Sequence, residues 1–133
     1  MNNMSFMLTT EQICNRTKTV TRRLGWRNLK PGLHIAACKK CMGLKKGETI
    51  ERIAVLWVRT VIREPLCYIL DHGIEECARE GFPYMEPERF VDFFCASHKG
   101  CKPDSVVTRI EFDYVDLALA SREHNEMPER ANG

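Results

Sequence analysis

Long apolar runs are missing from this chain of 133 residues. A membrane-spanning helix needs about 20 consecutive apolar residues, and the longest stretch, Ile53–Ile62, is interrupted by Arg59 and Thr60. Residues 1–7 lack the charged start and continuous apolar segment of a secretory signal. No internal repeat is evident. Charge of one sign is scarce as well, since the net charge of +2 is too small to make the protein basic overall. These absences predict a soluble, cytoplasmic protein with no membrane partner. In that compartment the seven cysteines are expected as thiols or metal ligands rather than disulfides.

The length allows one domain with a real core. Hydrophobic residues at 44% and charged residues at 29% exclude global disorder. The domain is expected over residues 1–116. Residues 117–133 are expected to form a flexible C-terminal tail, because the end of the chain is polar and has no periodicity.

The distribution of charge says more than its sum. Arg16, Lys18, Arg22, Arg23, Arg27 and Lys30 fall close together, followed by Lys39, Lys40, Lys45 and Lys46, while the acidic residues lie mostly after position 63. This asymmetry suits a positive face for phosphate or another anion. A solvated surface balanced by acids from later segments is the alternative.

Local patterns set the order of elements. Ser5–Leu8 reads as a short strand, and Thr9 or Thr10 is placed to cap a helix that ends near Arg16. Thr17–Thr21 alternates β-branched residues and favours extended chain. Leu29-Lys30-Pro31-Gly32 reads as a turn before a strand at Leu33–Ala37. Thr49–Ile62 is the longest strand, bent midway, with Trp57 expected in the core. Gly73–Arg79 is a short helix, Glu80–Pro83 a break, and Pro87 the first turn of a helix with an apolar face of Phe90, Val91, Phe93 and Phe94. Val106–Val115 alternates as a half-buried strand. Long strands with grouped helices predict an α+β fold with a mostly antiparallel, barrel-like sheet and two or three short helices.

Two cysteine clusters carry a metal signal. Cys38-x2-Cys41 is followed by Gly43, and Cys95, His98 and Cys101 follow downstream. Zinc takes four tetrahedral sulfur or nitrogen ligands, commonly from paired clusters distant in sequence. Cys38, Cys41, Cys95 and Cys101 are therefore the expected ligands of a structural zinc, with His98 as the substitute. Burial of Cys95 and plain surface thiols at Cys38 and Cys41 is the alternative.

Arg16-Thr17-Lys18-Thr19-Val20-Thr21-Arg22-Arg23 packs hydroxyls between cations. Residues two apart share a face in an extended chain, so Lys18 and Thr21 meet only where the chain curls. Threonine needs a neighbouring base to act as a nucleophile, and a lysine of lowered pKa can supply one. On the residues alone, a phosphate-binding edge is the favoured reading.

Lys18-Thr19-Val20-Thr21-Arg22-Arg23, the Leu29–Gly32 turn, the Glu80-Gly81-Phe82 break and the final apolar strand together resemble the ASCH domain family of the PUA-like superfamily. The likeness is nearest to phage and prophage members and spans about residues 5–115. The resemblance implies a small PUA-like β-barrel whose cleft is walled by the Lys18–Arg23 segment, and a ligand that is RNA or a modified nucleoside. One bacterial branch of the family hydrolyses the acetyl amide of N4-acetylcytidine with a lysine, a threonine and a glutamate, which fall here on Lys18, Thr21 and Glu80. The greater length, the cysteine clusters and the extra cations depart from that branch. The primary expectation is thus an RNA- or nucleoside-binding domain, with Arg16, Arg22, Arg23, Trp26 and Arg27 around the ligand. The alternatives are an amidohydrolase and a phage protein that binds a host protein in the host cytoplasm. Core packing is the favoured role of Trp26, with base stacking as its alternative.

Overall fold

Period-2 alternation builds the sheet of this protein, whose computed structural model describes residues 1–116. The expected tail lies outside the described residues. In β4 (Arg52–Pro65) Leu56 and Val58 are fully buried while Trp57 between them is 37% exposed, because successive strand side chains leave on opposite faces. Trp57 is therefore not the core residue its apolar surroundings suggested. β4 pairs antiparallel with both β3 (His34–Cys38) and β5 (Val106–Tyr114). A bulge between Val58 and Thr60 shifts its register against β5 and supplies the expected midway bend.

β5 also pairs antiparallel with β2 (Val20–Arg23), and β1 (Asn2–Ser5) lies parallel to β3. The order β1-β3-β4-β5-β2 gives a curled, five-stranded mixed sheet, a half-barrel. With helices α1 (Thr10–Cys14), α2 (Ile69–His72), α3 (Ile74–Arg79) and α4 (Pro87–Ser97), the fold is α+β. The strand expected at Ser5–Leu8 is displaced toward the start of the chain. Ser5 pairs with Cys38, the Phe6 N–H closes the ladder on the Cys38 carbonyl, and Met7–Thr9 then turns as a 3-10 helix. Thr10 does not cap α1, since its hydroxyl donates back to the Phe6 carbonyl at 2.9 Å.

The Pro31-Gly32 turn forms as expected. Gly32 takes φ +91° and its N–H reaches the Val58 carbonyl at 2.8 Å, a conformation that glycine adopts without steric penalty.

Two apolar clusters divide the interior. Met4, Phe6, Ile35, Leu56 and Phe112 belong to the first, packed against the sheet. Leu66, Ile69, Phe90, Phe94 and Val107 belong to the second, between the helices and β5. Pro87 opens α4, and the helix buries Phe90, Val91 and Phe94 on one face. Each such side chain contributes about 1.5–3 kcal/mol on leaving water. The charged site lies between these two clusters in composition: it borrows Phe6 from the first and Phe90 and Phe94 from the second.

Candidate functional site

The site is made by two chain reversals that approach each other. α1 ends at Cys14, and Arg16 turns left-handed at φ +63°, which costs a non-glycine residue roughly 1–2 kcal/mol. The Thr17 and Lys18 N–H groups both donate to the Gln12 carbonyl, and the chain then enters β2. On the other side α3 ends at Arg79, and Gly81 takes φ +103°. A Cβ on Gly81 would lie 3.0 Å from Gln12 Cγ and 3.6 Å from Lys18 Cβ. Only a glycine lets the end of α3 come this near the segment.

Lys18, Thr21, Arg22 and Glu80 are each 3% exposed. Lys18 Nζ donates to Glu80 Oε1 at 2.9 Å and to the Glu80 carbonyl at 2.7 Å. One ammonium thus neutralises the carboxylate and satisfies a carbonyl that the helix end leaves free. Arg22 donates to Glu80 Oε2 at 2.9 Å and to Glu76 Oε2 at 2.6 Å. Glu76 also accepts from Arg109 Nε at 2.6 Å and Arg79 at 3.2 Å. Buried charges persist only when paired in this way.

Burial shifts these groups, and their partners set the outcome. Desolvation holds the Lys18 ammonium below its ordinary pKa, against the opposing pull of Glu80. Burial would raise Glu76, but hydrogen bonds from Arg109 and the charge of Arg22 outweigh it and hold the carboxyl down to about 2. Burial likewise lowers Arg23 to about 10, opposed by Glu80, so Arg23 stays cationic at neutral pH.

Lys18, Thr21, Arg22, Arg23 and Glu80 line one cavity of about 220 Å³. Its walls are aromatic: Phe6 on one side, with Phe82, Phe90, Phe93 and Phe94 from the α3–α4 region, and His98 at the end of α4. The Thr21 hydroxyl accepts from Arg23 Nε at 3.1 Å, which leaves its own proton free to be given away. The Arg23 guanidinium lies 4.6 Å over the Phe6 ring. The three residues matched to hydrolytic roles therefore share one pocket, which strand alternation alone would not bring about.

The other expected ligand contacts are scattered. Arg22 and Arg23 line the cavity. Arg16 is exposed with its guanidinium 5.4 Å from the Tyr114 ring, and Arg27 is exposed. Trp26 packs against the first apolar cluster, the core role favoured for it. Sequence reasoning missed Glu76, Arg109, Phe6 and the lining role of His98. For Glu76 a signal existed: it stands four residues before Glu80, the spacing that puts two carboxylates on one helix face.

The cysteines come together as pairs. Cys95 Sγ lies 3.7 Å from Cys101 Sγ. Burial, then hydrogen bonding to Cys41, pushes the Cys38 thiol up to about 11. Among the described residues no group of three or more His, Cys, Asp or Glu side chains is placed to hold a metal ion. His98 Nδ1 sits 2.8 Å from the Phe94 carbonyl and the ring stacks on Phe94 at 4.1 Å. No helix among the described residues is long and apolar enough to cross a membrane.

No protein-family model matches the chain, and no curated protein does. Its fold is similar to that of the crystal structure of hypothetical protein PH0355, with a TM-score of 0.58. The match covers 86% of this chain and 96% of that one at 18% sequence identity. The likeness is one of fold.

Proposed function

We propose that the protein is an ASCH-like binding domain whose pocket takes a single nucleobase with its sugar, free or within RNA. One observation carries this reading: a small cavity combines aromatic walls with a floor of Lys18, Thr21, Arg22, Arg23 and Glu80. Flat apolar walls suit a base face, and convergent donors and acceptors suit its edge and the ribose hydroxyls. At about 220 Å³ the cavity falls below the roughly 300–1,000 Å³ of drug-sized sites, which favours one nucleoside over a run of stacked bases.

A second reading, amide hydrolysis, is favoured by the shared pocket of Lys18, Thr21 and Glu80 and by the lowered pKa of Lys18. In that reaction the Thr21 oxygen attacks the acyl carbonyl of an N-acylated base while neutral Lys18 takes its proton. The carbon–nitrogen bond then breaks, Lys18 returns the proton to the departing amine, and water cleaves the acyl ester left on Thr21. Glu80 positions Lys18 through the 2.9 Å bond. The Lys18 amine turns from Glu80 toward Thr21 in this scheme.

The test is calorimetric titration with cytidine and N4-acetylcytidine, with chromatography of the second mixture for released cytidine. Binding is expected, and Arg23→Ala is expected to weaken it by about tenfold or more, the loss of one hydrogen bond to a charged group. Turnover that vanishes in Thr21→Val while binding stays would establish hydrolysis, with a rate that climbs with pH as Lys18 loses its proton below its ordinary value. Binding of both nucleosides without turnover leaves the binding domain. Absence of binding to either overturns the proposal.

A further inference from the structure

A second, wider opening adjoins the pocket. It measures about 520 Å³ and is lined by Gly81, Phe82, Tyr84, Glu86 and Arg89, among others. Phe82 lines both openings, and Gly81 follows Glu80 of the pocket floor directly. The two spaces are therefore adjacent parts of one surface.

Tyr84 is the unusual residue there. It is 94% exposed, so its ring contributes nothing to the core and presents apolar surface to water at a cost. The loop that carries it is nonetheless anchored on both sides. Phe82 and Met85 pack against the second apolar cluster, the Phe82 N–H donates to the Cys77 carbonyl at 2.9 Å, and the Met85 N–H to the Phe82 carbonyl at 3.2 Å. A ring displayed on an anchored loop loses little freedom when something stacks on it.

Charge narrows the choice of occupant. Lys18 and Arg22 are paired with Glu80 and Glu76, so Arg23 and Arg89 are left against Glu86 along the two openings, a small positive balance that suits a phosphate. The volume is more than twice that of the first pocket, and the aromatic handle is one that any base can stack on.

We propose that the wider opening seats the nucleotide next to the one in the pocket, with Tyr84 stacked on its base and Arg89 supplying charge for the linking phosphate. This rests on the nucleoside reading of the pocket and names its substrate class: a nucleotide within a single-stranded polynucleotide, not a free nucleoside. Specificity resides in the smaller pocket, and the Tyr84 subsite accepts any base.

The experiment compares affinity for cytidine and for single-stranded trinucleotides, ribose and deoxyribose, with cytidine at the centre, in the unmodified protein, Tyr84→Ala and Tyr84→Trp. The trinucleotide is expected to bind more tightly than cytidine. Tyr84→Ala is expected to weaken the trinucleotide by roughly 5- to 150-fold, the range for losing one stacked base, and to leave cytidine unchanged. Tyr84→Trp should retain the advantage. The preferred sugar distinguishes RNA from DNA as the source of the strand. A trinucleotide that binds no better than cytidine, or a Tyr84→Ala loss equal for both, overturns this inference and leaves the nucleoside pocket standing. Absence of binding to cytidine and trinucleotide alike removes both readings.

Discussion

Glu76 is 1% exposed and accepts from Arg22, Arg79 and Arg109. Removing its charge leaves Arg22 buried with Glu80 at 2.9 Å and the more distant Glu64 at 3.7 Å, so Glu76→Gln is expected to cost about 3–5 kcal/mol, as broken buried pairs do. Thermal unfolding measures it, and a loss near zero would mean that the arginines find water instead. The pH dependence has a definite sign. The folded pKa of about 2 lies below the ordinary 4.5, so the contribution of Glu76 is fully present above about 4.5 and is lost as pH falls toward 2. Stability of Glu76→Gln should therefore be flatter than that of the unmodified protein across that acid window. Legibility at this scale was uneven. Lys18, Thr21 and Glu80 follow from the resemblance to the ASCH family rather than from the residues alone, and the structure puts them in one pocket. Arg109 was unreadable, since a lone cation on an alternating strand gains meaning only when the carboxylate of another element meets it.

Strand elements were the readable ones, because alternation reports which face is buried whatever the partner. β5 was expected at Val106–Val115 and runs Val106–Tyr114, with Thr108, Ile110 and Phe112 buried. α2, with four residues, is too short to show a helical period. The start of β1 was lost for another reason: Asn2 and Asn3 have low strand propensity, and pairing with β3 overrides it. α4 links core to site, since Phe90 and Phe94 belong to the second cluster and also line the pocket. Phe90→Ala is expected to lower stability by about 3–5 kcal/mol and to weaken nucleoside binding beyond that of a destabilised control such as Ile69→Val. Denaturant titration paired with calorimetry separates the two effects. Equal binding in both variants would remove Phe90 from the pocket wall.

For the molecule as a whole, the fold class and the grouping of helices followed from element order, whereas the half-barrel's parallel edge did not. β1 joins β3 only because the chain between them first supplies α1 and β2. The zinc expected across Cys38, Cys41, Cys95 and Cys101 requires two pairs to converge, and convergence of distant segments is what spacing cannot report. Measured zinc near zero per purified chain under reducing conditions would end that expectation. One zinc per purified chain, with a chelation-dependent drop in melting temperature, would instead establish the four-ligand staple.

The outer position of β2 has a further consequence for behaviour at high concentration. β1 and β2 end the sheet, each with one side that no described strand pairs, and open strand edges invite a second chain to add a strand. Arg22 turned inward on β2, with Lys18 just ahead of it, are the kind of buried cations that make such templating costly. The same side chains that line the pocket thus place buried charge beside an open strand edge.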